Sequence, residues 1–116
     1  MTEPDGGDKP ALIATGGPLD GTVFALVPGR ATALGSSMTA HVRLEQSNVD
    51  PEHARVDLGS NGLRLSDLAS GSGTYVNGEK IDKEHLLHDG DRICLGPPGS
   101  KNSAKLLVRL PPTPDA

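Results

Sequence analysis

The sequence predicts an all-β domain, an antiparallel sandwich or barrel. Apolar and polar residues alternate with period two, turn-forming residues recur at short intervals, and no stretch of ten or more residues carries a helical stripe. Many short strands joined by Gly- and Pro-rich turns bury one face each against a facing sheet.

In chain order, Thr22-Val-Phe-Ala-Leu-Val27 reads as a rather buried strand. In Ala54-Arg-Val-Asp-Leu58 the residues Ala54, Val56 and Leu58 share one face, with Arg55 and Asp57 on the other. Leu63-Arg-Leu65 and Lys105-Leu-Leu-Val-Arg-Leu110 repeat the pattern. Turns are marked by Pro28-Gly29, Gly59-Ser-Asn-Gly62, Asn77-Gly78, Asp89-Gly90 and Pro97-Pro-Gly99. Asn77-Gly78 between Tyr75-Val76 and Lys80-Ile81 predicts a tight hairpin, because both residues tolerate positive φ. Lys83-Glu-His-Leu-Leu-His88 is expected to form one helical turn at most. Sequential strands paired through tight turns collect their loops at the two ends of a sandwich, where binding sites are built.

The 116 residues leave room for one domain. Residues 1–10 and 111–116 read as disordered tails or linkers, the second Pro-rich, which leaves a domain at 11–110. Fifteen glycines, ten prolines and only Phe24 and Tyr75 as aromatics imply an aliphatic core. The formal charge is −4 and the basic residues are scattered, so no positive surface of the kind that displaces nucleic-acid counterions is expected. A single cysteine, Cys94, excludes an internal disulfide and fits a reducing compartment. No apolar run approaches the roughly 20 residues of a membrane span, and the N-terminus lacks a signal-peptide layout. A cytoplasmic location is expected.

The order Leu34-Gly35, Val49-Asp-Pro-Glu-His-Ala-Arg-Val56, Leu65-Ser-Asp-Leu68, Ser70-Gly-Ser-Gly-Thr-Tyr-Val-Asn-Gly78 and Gly90-Asp-Arg-Ile-Cys-Leu-Gly96 resembles the forkhead-associated (FHA) domain. The resemblance spans about Gly16 to Leu110 and implies a SMAD-like sandwich of about eleven strands. It also implies that loops at one end bind a phosphothreonine peptide. In the family, an Arg follows the Leu-Gly, a Ser stands three residues before the His, and an Asn precedes the Gly-Thr.

This chain carries Ser36, Asp50 and Ser72 at those places. A phosphothreonine brings roughly −1.5 to −2 charges and is held by guanidinium, hydroxyl and amide donors. Ser36 and Ser72 supply no charge, and Asp50 opposes an anion: a like charge at ~4 Å costs about 4 kcal/mol at an effective dielectric near 20. Losing a hydrogen bond to a charged group removes roughly 1.5–3 kcal/mol more, against about 8 kcal/mol for a whole micromolar complex. The loops carrying Ser36, Ser37, Asp50, Ser72, Gly73, Thr74 and Asn77 are therefore expected to bind a protein or peptide partner without needing its phosphate. The alternative is a phosphothreonine reader in a kinase pathway, with Arg30 or Arg43 as a substitute cation; Arg43 is equally able to neutralise Asp50. By the resemblance His53 braces the loops rather than catalysing.

Enzymatic readings are weak. Cys94 lies in a strand with no motif linking it to a histidine and reads as a structural thiol. His85 and His88 would share a face only on a helical turn and have no convergent third ligand, so no metal and no cofactor are expected. Asp89-Gly-Asp91 lacks the later ligands of a calcium loop, and Pro97-Pro98 removes two amides from a phosphate-loop-like run.

Overall fold

Alternation in the sequence becomes eleven strands in a computed structural model that describes residues 10–110 apart from 18, 60–61 and 69. The strands are β1 (Ala11–Ala14), β2 (Val23–Ala25), β3 (Ala31–Gly35), β4 (Val42–Arg43), β5 (Ala54–Gly59), β6 (Gly62–Asp67), β7 (Thr74–Val76), β8 (Glu79–Lys80), β9 (Glu84–Leu87), β10 (Arg92–Leu95) and β11 (Ala104–Arg109). Two sheets form, one ordered β2-β1-β11-β10-β7-β8 and the other β4-β3-β5-β6-β9. Of the predicted tails, only Pro10 is among the described residues, where its carbonyl accepts the Leu26 amide.

The inner faces meet in an aliphatic core. Leu12, Leu34, Leu63, Leu65, Ile93, Leu95 and Leu106 are each at most 1% exposed. Fully burying such a side chain contributes about 1.5–3 kcal/mol. Val56 and Ala54 face this core while Arg55 points out, as the period-two pattern requires. Phe24 packs against the core only from its margin. The Asn77-Gly78 hairpin also forms, with Tyr75 opposite Lys80 and φ of 53° and 86° at the two turn residues. Those positive angles suit a two-residue turn matched to strand twist.

Three expectations need correction. Thr22–Val27 contains an edge strand rather than a buried one: β2 covers only Val23–Ala25, and Val23 is 50% exposed. Among the described residues it has a strand neighbour on one side only, and Val23 and Ala25 are exposed while Phe24 alone packs against the core. Lys83–His88 is no helical turn but contains β9, paired to β6 through Leu65↔His85 and Leu63↔Leu87. Pairing to a ready sheet edge overrides the weak local preference of a segment this short. The pairing is also not wholly antiparallel, since β4 runs parallel to β3 through Leu34↔Val42 and Gly35↔Arg43.

Candidate functional site

Four connections converge at one end of the sandwich: β3–β4, β4–β5, β6–β7 and β10–β11. Their meeting point is His53, which has no exposed surface. The strand pairing of β3 with β5 fixes its backbone, its amide donating to the Leu34 carbonyl at 3.0 Å. The ring Nδ1 accepts the Asp50 amide at 3.0 Å, and Nε2 donates to the Gly73 carbonyl at 2.9 Å. Those two bonds select the neutral tautomer with its proton on Nε2. The same Gly73 carbonyl takes the Gly96 amide at 2.9 Å, so three loops meet on one oxygen and one imidazole.

Asp50 ties the set together. Its carbonyl accepts the Ser36 amide at 3.0 Å, and its carboxylate Oδ2 accepts the Gly71 amide at 2.8 Å. A carboxylate on a loop N–H is a charge-assisted bond that a serine hydroxyl cannot equal. Asp50 is therefore turned into the β6–β7 loop rather than left free in the cleft. Ser37 sits beside it, with its amide on the Pro51 carbonyl at 3.2 Å and its hydroxyl 3.0 Å from that of Thr39. Ser36 and Ser72 are half-buried on the two loops that flank Asp50.

Beneath the loops, Asp67 joins the two sheets. Its Oδ1 accepts the Thr74 hydroxyl and the Ser70 hydroxyl, each at 2.7 Å. Ser70 in turn accepts the Gly73 amide at 3.1 Å. Burial raises the Asp67 pKa, but the hydrogen bonds from Thr74 and Ser70 outweigh it and hold the carboxyl below the usual aspartate value. The β10–β11 loop is fixed by Asn48, whose side-chain amide donates to Ser100 and Ser103, each at 3.1 Å.

Among the predicted site residues, the structure brings together Ser36, Ser37, Asp50, His53, Ser72 and Gly73. It does not bring Asn77, which lies at the other end of β7, four residues from Gly73, or about 13 Å of extended chain. There its side chain donates to Asp91 and accepts the Arg92 amide, both at 3.0 Å. Thr74 is at the correct end but fully buried, its hydroxyl committed to Asp67 rather than presented to a ligand. Neither suggested cation reaches the cleft. Arg30 precedes β3, whose far end carries Ser36, so the length of a five-residue strand separates them. Arg43 lies beside Gly35 but pairs with Glu45 at 2.6 Å, not with Asp50.

Two residues the sequence reading passed over matter here. Asp67 is the link between sheets, and its signal was the Asp-x-x-Ser spacing to Ser70, typical of side-chain-bonded turns. Lys80 crosses the face of Gly73, its Cε 3.1 Å from where a Gly73 Cβ would stand. Nothing in its own segment announces this, because the β7–β8 hairpin alone carries it there. Cys94 lies on the outer face of β10 and is 6% exposed; burial pushes its thiol pKa up, partly offset by Lys105. His85 and His88 share no helical face, since His85 lies in β9 and His88 just beyond the end of that strand. Among the described residues no group of three or more His, Cys, Asp and Glu is placed to hold a metal, and no helix is long and apolar enough to cross a membrane.

Residues 32–96 match the family model of the FHA domain. The chain belongs to the FHA family. The FHA match spans the β3–β4, β4–β5 and β6–β7 connections of the cleft just described and stops at Gly96, where the β10–β11 connection begins. Glycogen accumulation regulator GarA of Mycobacterium tuberculosis is 32% identical over 85 residues, which are 73% of this chain and 51% of GarA. An FHA domain-containing protein of Arabidopsis thaliana is 27% identical over 88 residues, 73% of this chain and 23% of that protein. The chain thus spans about half, or less, of the length of these relatives. Among solved structures, the FhaA FHA domain complexed with the intracellular domain of Rv3910 superposes with a TM-score of 0.73 at 29% identity, covering 86% of this chain and 99% of that one. A second FHA structure, from work on phosphothreonine-dependent interactions, gives a TM-score of 0.76 at 28% identity over 90% of this chain and 99% of that one. FHA domains are protein-interaction modules, and that is the class of this chain.

Proposed function

We propose that this FHA domain, residues 11–110, binds a protein partner in signalling through the loop end around Asp50, as an adaptor that does not require phosphothreonine. The observation that carries the reading is the Asp50 carboxylate, which already occupies the Gly71 amide at 2.8 Å. A loop amide that would serve an incoming anion is thereby used, and a negative charge stands where the relatives' family pattern has serine. Ser36 offers no guanidinium in exchange. The exposed Met38, on the β3–β4 loop, and Leu68, on the β6–β7 loop, add apolar contact area at the same end. A cytoplasmic site of action accords with such a role.

The second reading, a phosphothreonine reader with substitute donors, draws support from Lys80. Its aliphatic stem, through Cδ and Cε, lies over Gly73 of the β6–β7 loop. Calorimetric or NMR titration with peptides matched in sequence, one carrying phosphothreonine and one threonine, separates the two. Equal or absent response to the phosphate supports the first reading. Saturable micromolar binding of only the phosphorylated peptide overturns it.

A further inference from the structure

The outer face of the six-stranded sheet is organised independently of the loop end. Cross-strand register sets side chains in rows, because directly opposite residues share a face. One row runs Lys80, Tyr75, Cys94, Lys105 across β8, β7, β10 and β11. The next runs Arg92, Leu107, Ile13, Val23 across β10, β11, β1 and β2. Between Arg92 and Lys105 lies an open groove of about 780 Å³ floored by Cys94 and Leu107. It reaches from Asn77 and Gly90 at one end of the sandwich to Thr15 and Pro98 at the other.

The charge of this groove is opposite to that of the chain. The whole protein carries a net −4, yet no acidic residue is among those lining the groove, whereas Arg92 and Lys105 are both exposed there. Neither forms an ion pair with a described residue. The acids near its far end are already engaged. Asp91 accepts from Asn77 and from the His88 amide, and Asp89 accepts the Leu110 amide. Glu79 belongs to the opposite face of β8, across from the inward-facing Val76. Two exposed cations standing over an apolar floor match an extended segment whose carboxylates alternate with apolar side chains.

We propose that this groove is a second binding site, for an acidic and partly apolar extended peptide segment of a partner protein. It meets the loop end only at Pro98 and operates whether or not the loops engage phosphate. Carboxylates of the segment meet Arg92 and Lys105, while its apolar side chains settle on Leu107 and the Cys94 thiol. The attraction between exposed charges is screened by salt, so binding weakens as ionic strength rises.

The test uses the full chain, labelled with ¹⁵N, titrated with an acetylated peptide of alternating Glu and Leu, with its Lys-for-Glu counterpart, and with a short oligothymidylate. The acidic peptide is expected to move the amide resonances of Arg92, Cys94 and Lys105 and to leave those of Ser36 and Gly71 in place. The double variant Arg92→Glu/Lys105→Glu should weaken it by at least about tenfold, and the milder Arg92→Gln/Lys105→Gln, which avoids introducing repulsion, by several-fold. Equal responses to the acidic and basic peptides would overturn the proposal. So would shifts confined to the loop end, insensitivity to both double variants, or tighter binding of the oligothymidylate than of the acidic peptide.

Discussion

The Asp50 carboxylate holds the Gly71 amide at 2.8 Å, although 21 residues separate the two in the chain. The same residue donates its own amide to the buried His53 ring and lends its carbonyl to Ser36. One residue, through its amide, carbonyl and carboxylate, thus closes three loops on each other. This bracing predicts how substitutions at Asp50 divide between stability and binding.

Asp50→Ala removes a hydrogen bond from a charged acceptor and leaves the Gly71 amide to water, since Gly71 is exposed. The expected loss is about 1–2 kcal/mol of unfolding free energy by urea titration. Asp50→Asn keeps an acceptor oxygen and should lie closer to the parent than to the alanine variant. If alanine and asparagine are indistinguishable from the parent, the carboxylate is not bracing the β6–β7 loop.

His53 has a larger predicted effect. Its ring is fully buried and satisfies the Asp50 amide and the Gly73 carbonyl together. His53→Ala leaves a cavity and an unpaired donor, a combination that costs about 3–5 kcal/mol. Amide exchange supplies a local check: the Asp50 N–H, bonded only through Nδ1, should lose protection even under conditions where the variant stays folded. Unchanged Asp50 exchange in a folded His53→Ala protein would contradict the brace.

The sequence announced most of this frame and little of its wiring. Strands β5, β6 and β11 were legible because each alternates across one buried face, and the Asn77-Gly78 turn because few other pairs accept two positive φ values. β9 was not, since Glu84-His-Leu-Leu87 has no clear period and becomes a strand only by pairing with β6. Within the site, the His53 environment followed from family likeness. The direction of Asp50 did not. A carboxylate in a cleft and a carboxylate bonded to a neighbouring loop have the same sequence, and only the approach of Gly71 distinguishes them. Asn77 is close to Gly73 in sequence, yet an extended strand carries it to the other end of the sheet.

Asp67 gives the fold an acid sensitivity of definite sign. Its folded pKa is depressed by the Thr74 and Ser70 hydroxyls despite the opposing effect of burial. A depressed carboxyl stabilises the folded state above the unfolded value of ~3.9 and loses that contribution as pH falls through the folded value. Denaturation between about pH 5 and pH 2.5 should therefore show a steeper loss for the parent than for Asp67→Asn, which cannot titrate. At pH 7 the asparagine variant should be the less stable of the two. Parallel pH profiles would show that Asp67 does not contribute.

Gly35 is required for reasons of space. A Cβ at this buried position would stand against the Pro51 carbonyl, 2.8 Å from its carbon and 2.9 Å from the Asp50 carbonyl oxygen. Both contacts are backbone, so no side chain can swing aside. Gly35→Ala is expected to destabilise by about 1–3 kcal/mol, as overpacking does, and to disturb the Ser36–Asp50 bond beside it. Chemical denaturation measures the first effect and the Ser36 amide shift the second. An alanine variant of parental stability would mean the β3 end and the β4–β5 loop are farther apart than described.

Reversing the three departures from the family pattern tests the whole reading of the cleft. Ser36→Arg returns a guanidinium on the loop joined to Asp50, Asp50→Ser removes the carboxylate from the Gly71 amide, and Ser72→Asn restores an amide side chain on the β6–β7 loop. The charge change alone is favourable, since removing one like charge near a phosphate is worth up to about 4 kcal/mol at ~4 Å under an effective dielectric near 20. Part of that gain is offset by the bracing lost with Asp50, so the triple variant should be somewhat less stable while binding phosphothreonine peptide at least about tenfold more tightly than the parent. Ser36→Arg by itself should give less than the triple, because its guanidinium would face Asp50 and be drawn into an ion pair. A triple variant that folds, by its amide spectrum, yet shows no gain over the parent would mean the loop end is shaped for something other than a phosphopeptide even when its charges are restored.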